Sequence, residues 1–175
     1  MPQAQAQGLP PATAGDIAPE PVREGIDLIV NGERFRHTGD PLMPLLWYLR
    51  DVLRLTGTKP GGAHGEGGYD LVLVDGKAAS AIKRTMARLA GARITTVEGL
   101  AADDGSLHPL QQAFVDEDAI GCGYCTAGWL IAGVDLLTRK SKPTDDDIDQ
   151  LPNLCRCGCQ TRVRRAIKRA AGVQA

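Results

Sequence analysis

Cysteine is missing from most of this chain, since none of the first 121 of its 175 residues is a cysteine. The final third holds a C-x-x-C pair, a C-x-C pair and one further thiol: Cys122, Cys125, Cys155, Cys157 and Cys159. Four thiolates from two short turns can complete one metal centre. The cysteines therefore suffice for a single centre, and the rest of the chain cannot build a second one from thiolates.

The chain also lacks a strong net charge, an export signal and a long apolar run. Its formal net charge is -1, so the overall charge does not favour nucleic acid or an anionic membrane as a partner. The N-terminal residues lack the basic and apolar regions of a secretory signal, and the longest apolar stretch, 129–137, is too short to span a bilayer. We predict no membrane span and a cytoplasmic location by default, where close cysteine pairs are typical of metal sites rather than disulfides.

The first half of the chain has the pattern of a small mixed sheet. Residues 1–24 contain five prolines and no apolar periodicity, and they are predicted to be a flexible tail. Residues 26–37 and 71–76 have the pattern of two hairpins. A Leu-rich helical segment, 42–55, lies between them, and a short strand, 94–97, follows the second. Residues 25–97 are therefore predicted to form a β-grasp-like α+β domain.

Beyond residue 98 the pattern becomes helical, and residues 98–175 are predicted to form a four-helix domain. The candidate helices are 108–116, 126–139, a segment capped by Thr144, and 160–171. Each cysteine pair lies at or just before the start of a helix, where free N–H groups and positive potential stabilise thiolates. The last helix is basic and free of acids, which indicates a solvated face or a docking face for an acidic surface or a phosphate-bearing cofactor, and the solvated face is the favoured interpretation.

Two kinds of metal centre fit four cysteines. A structural zinc site accepts four thiolates. An iron–sulfur cluster also takes four, and it needs glycines nearby so that backbone N–H groups can approach the sulfurs. Gly121, Gly123 and Gly158 flank the cysteines in this way, and a C-x-C half-site is unusual for a zinc ribbon. The residues favour a cluster over a zinc-binding scaffold, and both stay open at this level.

A series of motifs in fixed order extends from about residue 25 to the C-terminus. They are Leu45-Leu-Trp-Tyr-Leu-Arg-Asp51, Thr56-Gly-Thr-Lys59, Val72-Leu-Val-Asp-Gly76, Ile94-Thr-Thr-Val-Glu-Gly-Leu100, Gly121-Cys-Gly-Tyr-Cys-Thr-Ala-Gly128 and Asn153-Leu-Cys-Arg-Cys-Gly158. This series closely resembles the iron–sulfur subunit of the molybdenum hydroxylase (xanthine oxidase) family. It looks most like the short-chain members that are paired with isoquinoline- or aldehyde-oxidising molybdenum subunits.

The resemblance implies two [2Fe-2S] clusters in the family but only one here. The ligands of the cluster in the helical domain map onto Cys122, Cys125, Cys155 and Cys157. The plant-type ferredoxin cluster in the β-grasp domain is held by C-x4-C-x2-C and a later cysteine, and these four positions map onto Gly62, Gly67, Asp70 and Ile82. Because every thiol of the second set is missing, we expect one [2Fe-2S] cluster and a loop that has lost its metal.

Further departures from the family concern single residues. Gly121 stands where the family usually has a Gln that contacts the pterin, and Cys159 stands where a small residue such as Thr is common. We expect Cys159 to be an inert buried cysteine, a hydrogen-bond donor to the cluster or an alternative ligand, in that order. His64, Glu66, Tyr69 and Asp70 are all possible ligands for a hard cation, but surface polar residues on a glycine loop are the favoured interpretation.

The function implied by the resemblance is electron transfer within a heteromeric molybdopterin-dependent oxidoreductase that hydroxylates an aldehyde or N-heterocycle. The molybdopterin cofactor would lie in a large partner subunit, and the acceptor would be a cytochrome or a flavoprotein. No catalytic residue is predicted in this chain, because its three histidines are scattered without partners. A structural four-cysteine zinc scaffold is the alternative, and co-export with a partner subunit would place the chain in the periplasm.

Overall fold

The computed structural model describes residues 25–173 and has a mixed α+β fold. Its elements begin with a five-stranded sheet: β1 (Ile26–Val30), β2 (Glu33–His37), β3 (Leu71–Val74), β4 (Lys77–Ser80) and β5 (Arg93–Thr95). The strand order is β2-β1-β5-β3-β4, in which only β1 and β5 are parallel. The predicted mixed sheet is confirmed, and the predicted tail, residues 1–24, lies outside the described residues.

Both hairpins form where the turn residues predict them. Asn31 and Asp75 have φ of 50° and 49°, and each is followed by a glycine with positive φ. Two successive left-handed residues make the tight turn whose twist matches that of the flanking strands. The pairing of Val30 with Glu33 and of Val74 with Lys77 closes the two hairpins.

The helix predicted over 42–55 is much shorter in the structure. Regular helix α1 covers only Leu45–Trp47 and widens into a π-helical turn at Tyr48–Val52. The chain then leaves the helix at Arg54, whose φ is 61°. Arg50 donates to the carbonyl oxygens of Thr56 and Thr58, both at 2.8 Å, so the end of this segment is tied to the following loop instead of continuing as a helix.

The late strand also ends earlier than predicted. Strand β5 stops at Thr95, because the Thr96 N–H donates to the side chain of Asn31 at 2.9 Å rather than to a neighbouring strand. A short 3-10 turn at Val97–Gly99 follows. The strand predicted over 94–97 is therefore shifted toward the N-terminus by about one residue at its start, at Arg93.

Four helices follow residue 98, as predicted. They are α2 (Pro109–Asp116), α3 (Thr126–Arg139), α4 (Asp145–Asp149) and α5 (Gln160–Ala170). The side chains of His108 and Thr144 cap α2 and α4, each in a capping box with the residue three positions on. Within residues 25–173, no helix is long and apolar enough to cross a membrane.

The sheet is covered by helices on both faces through strand β3. Val72 is buried against Leu46 and Leu49 of the α1 segment, whereas Leu71 and Leu73 are buried against Ile131 of α3. Because successive residues of a strand point to opposite faces, a strand apolar at every position joins two layers. This packing brings the N-terminus of α3 close to the loop that precedes β3.

The basic residues of α5 form ion pairs within the chain. Arg165 and Arg169 bind Glu117 at 2.9 and 3.1 Å, Lys168 binds Asp145 at 2.7 Å, and Arg164 binds Asp149. These exposed pairs add little stability individually. The two interpretations of the basic helix from the sequence did not predict these ion pairs. Its basic side chains pair with acids of α4 and of the segment after α2.

Candidate metal centre

Two short turns carry the five cysteines. The first cysteine turn, residues 121–125, joins the segment after α2 to α3, and the second, residues 153–159, joins α4 to α5. Cys125 is the residue immediately before α3, and Cys159 is the residue immediately before α5. Both turns therefore end at helix N-termini, where unpaired N–H groups favour negative charge, as the sequence predicts.

The four predicted ligands meet in two pairs, each with one thiol from either turn. The Cys157 thiol donates to Cys122, and the Cys125 thiol donates to Cys155. Cys122 and Cys157 are exposed, whereas Cys125 is half-buried and Cys155 is buried. The site thus has an exposed pair and an inner pair.

This pairing fits a two-iron cluster better than a single zinc ion. Zinc takes four ligands around one point, whereas a [2Fe-2S] cluster takes two ligands at each of its two irons. Across residues 25–173, no three His, Cys, Asp or Glu side chains converge where a single metal ion could bind. The contacts Cys122–Cys157 and Cys125–Cys155 agree with two ligands at each of two irons.

Backbone N–H groups point at the sulfurs, among them the Cys122 N–H, which donates to Cys157. The N–H of Tyr124 is the largest of the causes that hold the pKa of Cys122 below its ordinary value. Burial acts to raise the pKa of Cys155, but the Cys159 N–H, 3.4 Å from the sulfur, and the neighbouring thiols outweigh it, and the net shift is downward. N–H···S bonds of this kind stabilise thiolates and an anionic cluster.

Cys125 has the opposite environment. Burial, with the hydrogen bond to Cys155 as the next cause, raises the pKa of Cys125 to about 12. Without a cation beside it this thiol stays protonated at neutral pH. A bound metal would stabilise its thiolate, so Cys125 is suited to hold a metal and poorly suited to act as a free nucleophile.

The three glycines predicted beside the cofactor lie within the cysteine turns. A side chain at Gly121 would place its Cβ 2.8 Å from the Cβ of Cys157, so glycine lets the two turns approach closely. Gly123 and Gly158 have φ of 84° and 75°, which only glycine adopts without strain. Their contact with a cofactor stays a prediction, because these observations concern the turns themselves.

Cys159 is buried and lies beside the four-cysteine site, where its thiol donates to Cys155. Its sulfur accepts a hydrogen bond from Arg162 at 3.3 Å, and Arg162 also forms an ion pair with Asp118. The hydrogen bond to Cys159 is the largest cause of the raised pKa of Arg162. Its burial agrees with the first interpretation, an inert buried cysteine, and its contact with Cys155 with the second.

The four polar residues of the glycine-rich loop do not form a cation site. The Glu66 carboxylate accepts the N–H of His64 at 3.1 Å, and Tyr69 packs edge-on against Tyr124. Asp70 points elsewhere, toward Ser80, at 2.6 Å. The expectation that these are surface residues is wrong for Asp70, which is fully buried, because strand β3 begins at the next residue.

Sequence reasoning missed two residues that join the cysteine turns to the rest of the molecule. Tyr124 donates to the carbonyl oxygen of Pro60 at 2.8 Å, and Asn153 donates to that of Gly68 at 2.8 Å. The place of Tyr124 between two cysteines was a usable signal. Asn153 begins the motif that carries the second cysteine pair, but its partner lies 85 residues away, so the sequence does not indicate what it contacts.

Comparisons with known proteins support a cluster-binding assignment. A family described as "[2Fe-2S] binding domain" matches residues 96–168. A nicotinate dehydrogenase subunit of Pseudomonas putida is 43% identical over 148 residues, which are 83% of this chain and 94% of that protein. The alpha subunit of isoquinoline 1-oxidoreductase from Brevundimonas diminuta is 40% identical over 149 residues, 83% of this chain and 97% of that protein.

Solved structures agree with the sequence relatives. The aldehyde oxidoreductase of Desulfovibrio desulfuricans superposes with a TM-score of 0.79 and 36% identity, and it covers 85% of this chain. The present chain corresponds to only 17% of that larger chain. Together with the near full-length relatives, these similarities confirm the predicted resemblance. The chain belongs to the family of small iron–sulfur subunits of molybdenum hydroxylase-type oxidoreductases.

Proposed function

We propose that this chain carries electrons from the molybdenum cofactor of a partner subunit through a single [2Fe-2S] cluster to an external acceptor. The observation that carries the proposal is the pairing of Cys122 with Cys157 and of Cys125 with Cys155 across two turns. These four cysteines would hold the cluster. When bound, such a cluster takes up and releases one electron at a time.

The surroundings of the two pairs suit an electron carrier. The inner pair is shielded by the core of the helical region, where Cys155 and Cys159 pack with Val163 and Ile167. The exposed pair lies at the surface beside Ile120 and Tyr124, which are 43% and 42% exposed. Electron transfer weakens steeply with distance, so the exposed pair is the end that a partner protein would approach.

The substrate belongs to the partner subunit. We infer an aldehyde or N-heterocycle, because the relatives of this chain include a nicotinate dehydrogenase, an isoquinoline oxidoreductase and an aldehyde oxidoreductase. The residues of this chain would position the cluster, exclude solvent from its inner edge and supply N–H···S bonds. The acceptor we propose is a cytochrome or a flavoprotein that approaches the cysteine turns directly, because the loop that carries a second cluster in the family has no thiol.

The domain layout and the compartment are part of the same proposal. We infer a β-grasp domain at 25–97 and a helical cluster-binding domain at 98–175. The separate apolar clusters around Leu46 and around Phe114 support this division. A cytoplasmic location, or a periplasmic one reached by export with a partner subunit, would place the chain beside its acceptor.

Metal analysis of the purified chain tests the proposal. We expect about two iron and two acid-labile sulfide per chain, a brown colour bleached by dithionite, and an EPR signal in the reduced state. About four of each would contradict a single cluster. A colourless protein with one zinc would establish the scaffold alternative instead.

A further inference from the structure

The glycine loop, residues 56–70, touches the first cysteine turn through two contacts of one residue. The Tyr124 hydroxyl donates to the Pro60 carbonyl oxygen at 2.8 Å. The Tyr124 ring meets the ring of Tyr69 edge to face, with centroids 5.5 Å apart and planes at 79°. Because Tyr124 lies between Cys122 and Cys125, both contacts restrict the backbone that carries these thiols.

The same loop also holds the second cysteine turn. The Leu154 N–H donates to the Gly67 carbonyl oxygen at 3.1 Å, and the Asn153 side chain donates to the Gly68 carbonyl oxygen at 2.8 Å. Asn153 is only 4% exposed, so this second hydrogen bond is shielded from water and expensive to break. Two residues that precede Cys155 are thus fixed to the loop.

Asp70 anchors the loop to the sheet. Its carboxylate accepts the Ser80 hydroxyl at 2.6 Å and the Ile82 N–H at 3.0 Å, while the Ala81 N–H donates to its carbonyl oxygen at 3.0 Å. Asp70 is 0% exposed. Positions 70 and 82 are two of the four at which the family places cluster ligands. A direct hydrogen bond joins them here, where a metal would otherwise do so.

The other two ligand positions are filled by side chains of the loop itself. A Cβ at Gly62 would overlap the Glu66 carboxylate, and a Cβ at Gly67 would lie 2.7 Å from the Tyr69 ring. Both glycines have positive φ, 91° and 78°. The Glu66 carboxylate and the Tyr69 ring therefore occupy the space beside these two glycines, and a cysteine at either position would have to displace them.

We propose that the glycine loop is a metal-free clamp that holds both cysteine turns in place for cluster binding, with Asp70 as the positioning residue that fixes the clamp to the sheet. The inference rests on the proposed function, in which those turns bind the cluster. In this proposal the glycine loop has no cluster ligands of its own but still serves the four-cysteine site, because it holds the two cysteine turns in position.

The test compares Asp70→Ala with Asp103→Ala, an exposed aspartate that has no hydrogen bond or ion pair among the described residues. The full chain is purified with whatever subunits accompany it, and iron release to a chelator is timed. We expect Asp70→Ala to release iron roughly tenfold faster than wild type, as a lost buried hydrogen-bond acceptor predicts. Asp103→Ala should match wild type, and Asp70→Asn, which keeps one acceptor oxygen, should lie between them.

Hydrogen exchange separates positioning from general destabilisation. In Asp70→Ala, faster exchange is expected in 60–70, 121–125 and 153–157, with the β1–β2 hairpin unchanged. Equal acceleration in that hairpin, or iron release at the wild-type rate, would overturn the clamp. If Asp70→Ala does not fold, Tyr124→Phe and Asn153→Ser replace it, because each removes a hydrogen bond between the glycine loop and one cysteine turn. Each of these variants should release iron faster than wild type, and release at the wild-type rate in both would overturn the clamp. A wild-type chain without iron would instead refute the proposed function, so the two failures are distinguishable.

Discussion

The cysteine turns and the glycine loop are both tight backbone turns built with left-handed glycines, but different side chains lie inside them. Both regions use glycines with positive φ, such as Gly123 and Gly67, to fold short segments tightly around a small volume. In the cysteine turns four thiols meet in that volume. In the glycine loop a carboxylate and an aromatic ring fill it. The comparison teaches that a glycine-rich loop without thiols can keep a defined path through hydrogen bonds and packing.

Removing one thiol of the inner pair is the strongest test of this contrast. Cys155→Ser should abolish iron binding almost completely, because a neutral hydroxyl replaces a buried thiolate at one iron. Cys159→Ser, four residues further on, should keep most of the iron, since Cys159 is not one of the four predicted ligands. Iron and sulfide content with visible absorption measure both. Equal loss in the two variants would mean that Cys159 is also a ligand.

Returning cysteine to all four positions that lack it should not restore a second cluster. The combined variant Gly62→Cys, Gly67→Cys, Asp70→Cys and Ile82→Cys should keep about two iron per chain. It should be destabilised by about 2 kcal/mol or more, because two left-handed glycines and a buried acceptor are lost. Metal analysis and urea unfolding check this.

Iron near four per chain in that variant would contradict the filled loop. Adding Glu66→Ala and Tyr69→Ala sharpens the test, since these side chains occupy the space beside Gly62 and Gly67. Iron gained only after both are removed would identify space filling as the reason.

A pair of glycine substitutions measures the contact between the loop and the second cysteine turn. Gly68→Ala and Gly76→Ala both place alanine at positive φ, 64° and 82°, which costs about 1–2 kcal/mol in either case. Only at Gly68 would the new Cβ meet a neighbour, the Asn153 amide at 2.7 Å. Urea unfolding should show a larger loss for Gly68→Ala, by about 1 kcal/mol, together with faster iron release. Equal losses of stability and equal iron release in the two variants would mean that Asn153 has no role in the clamp.

The smallest expected effect concerns pH and the helix before the first cysteine turn. Burial lowers the pKa of His108 from its ordinary 6.5, and its Nδ1 accepts the Leu110 N–H at 3.1 Å. The unfolded chain then binds this proton more readily, so the contribution is complete above pH 6.5 and is lost as pH falls below it. We expect a small loss of stability as the pH falls below 6.5, measured by urea unfolding at several pH values. His108→Asn, which keeps a cap, should flatten this part of the profile.

Local signals in the sequence predicted many elements accurately. Asn31-Gly32 and Asp75-Gly76 define their hairpins because left-handed turns need these residue types, and Thr144 begins α4 because its hydroxyl caps the helix. The Leu-rich segment 42–55 was predicted too long. Its pattern reports burial, but its end depends on the hydrogen bonds of Arg50 to the following loop.

The candidate site also has features that the sequence predicted and features that it did not. The spacing of the cysteines predicted one four-thiol centre, and the missing thiols at positions 62, 67, 70 and 82 predicted a loop without its cluster. The burial of Asp70 and the role of Asn153 could not be predicted, because both depend on segments far away in the chain.

The sequence by itself determined which residues can bind metal, where the turns and helix starts fall, and which family the motifs resemble. These are local properties of residue type and spacing. Only the tertiary structure decided that the thiols meet as an exposed and an inner pair, and that the glycine loop contacts both cysteine turns. Such contacts join segments that are brought together when α3 packs on β3, and no short stretch of sequence encodes that approach.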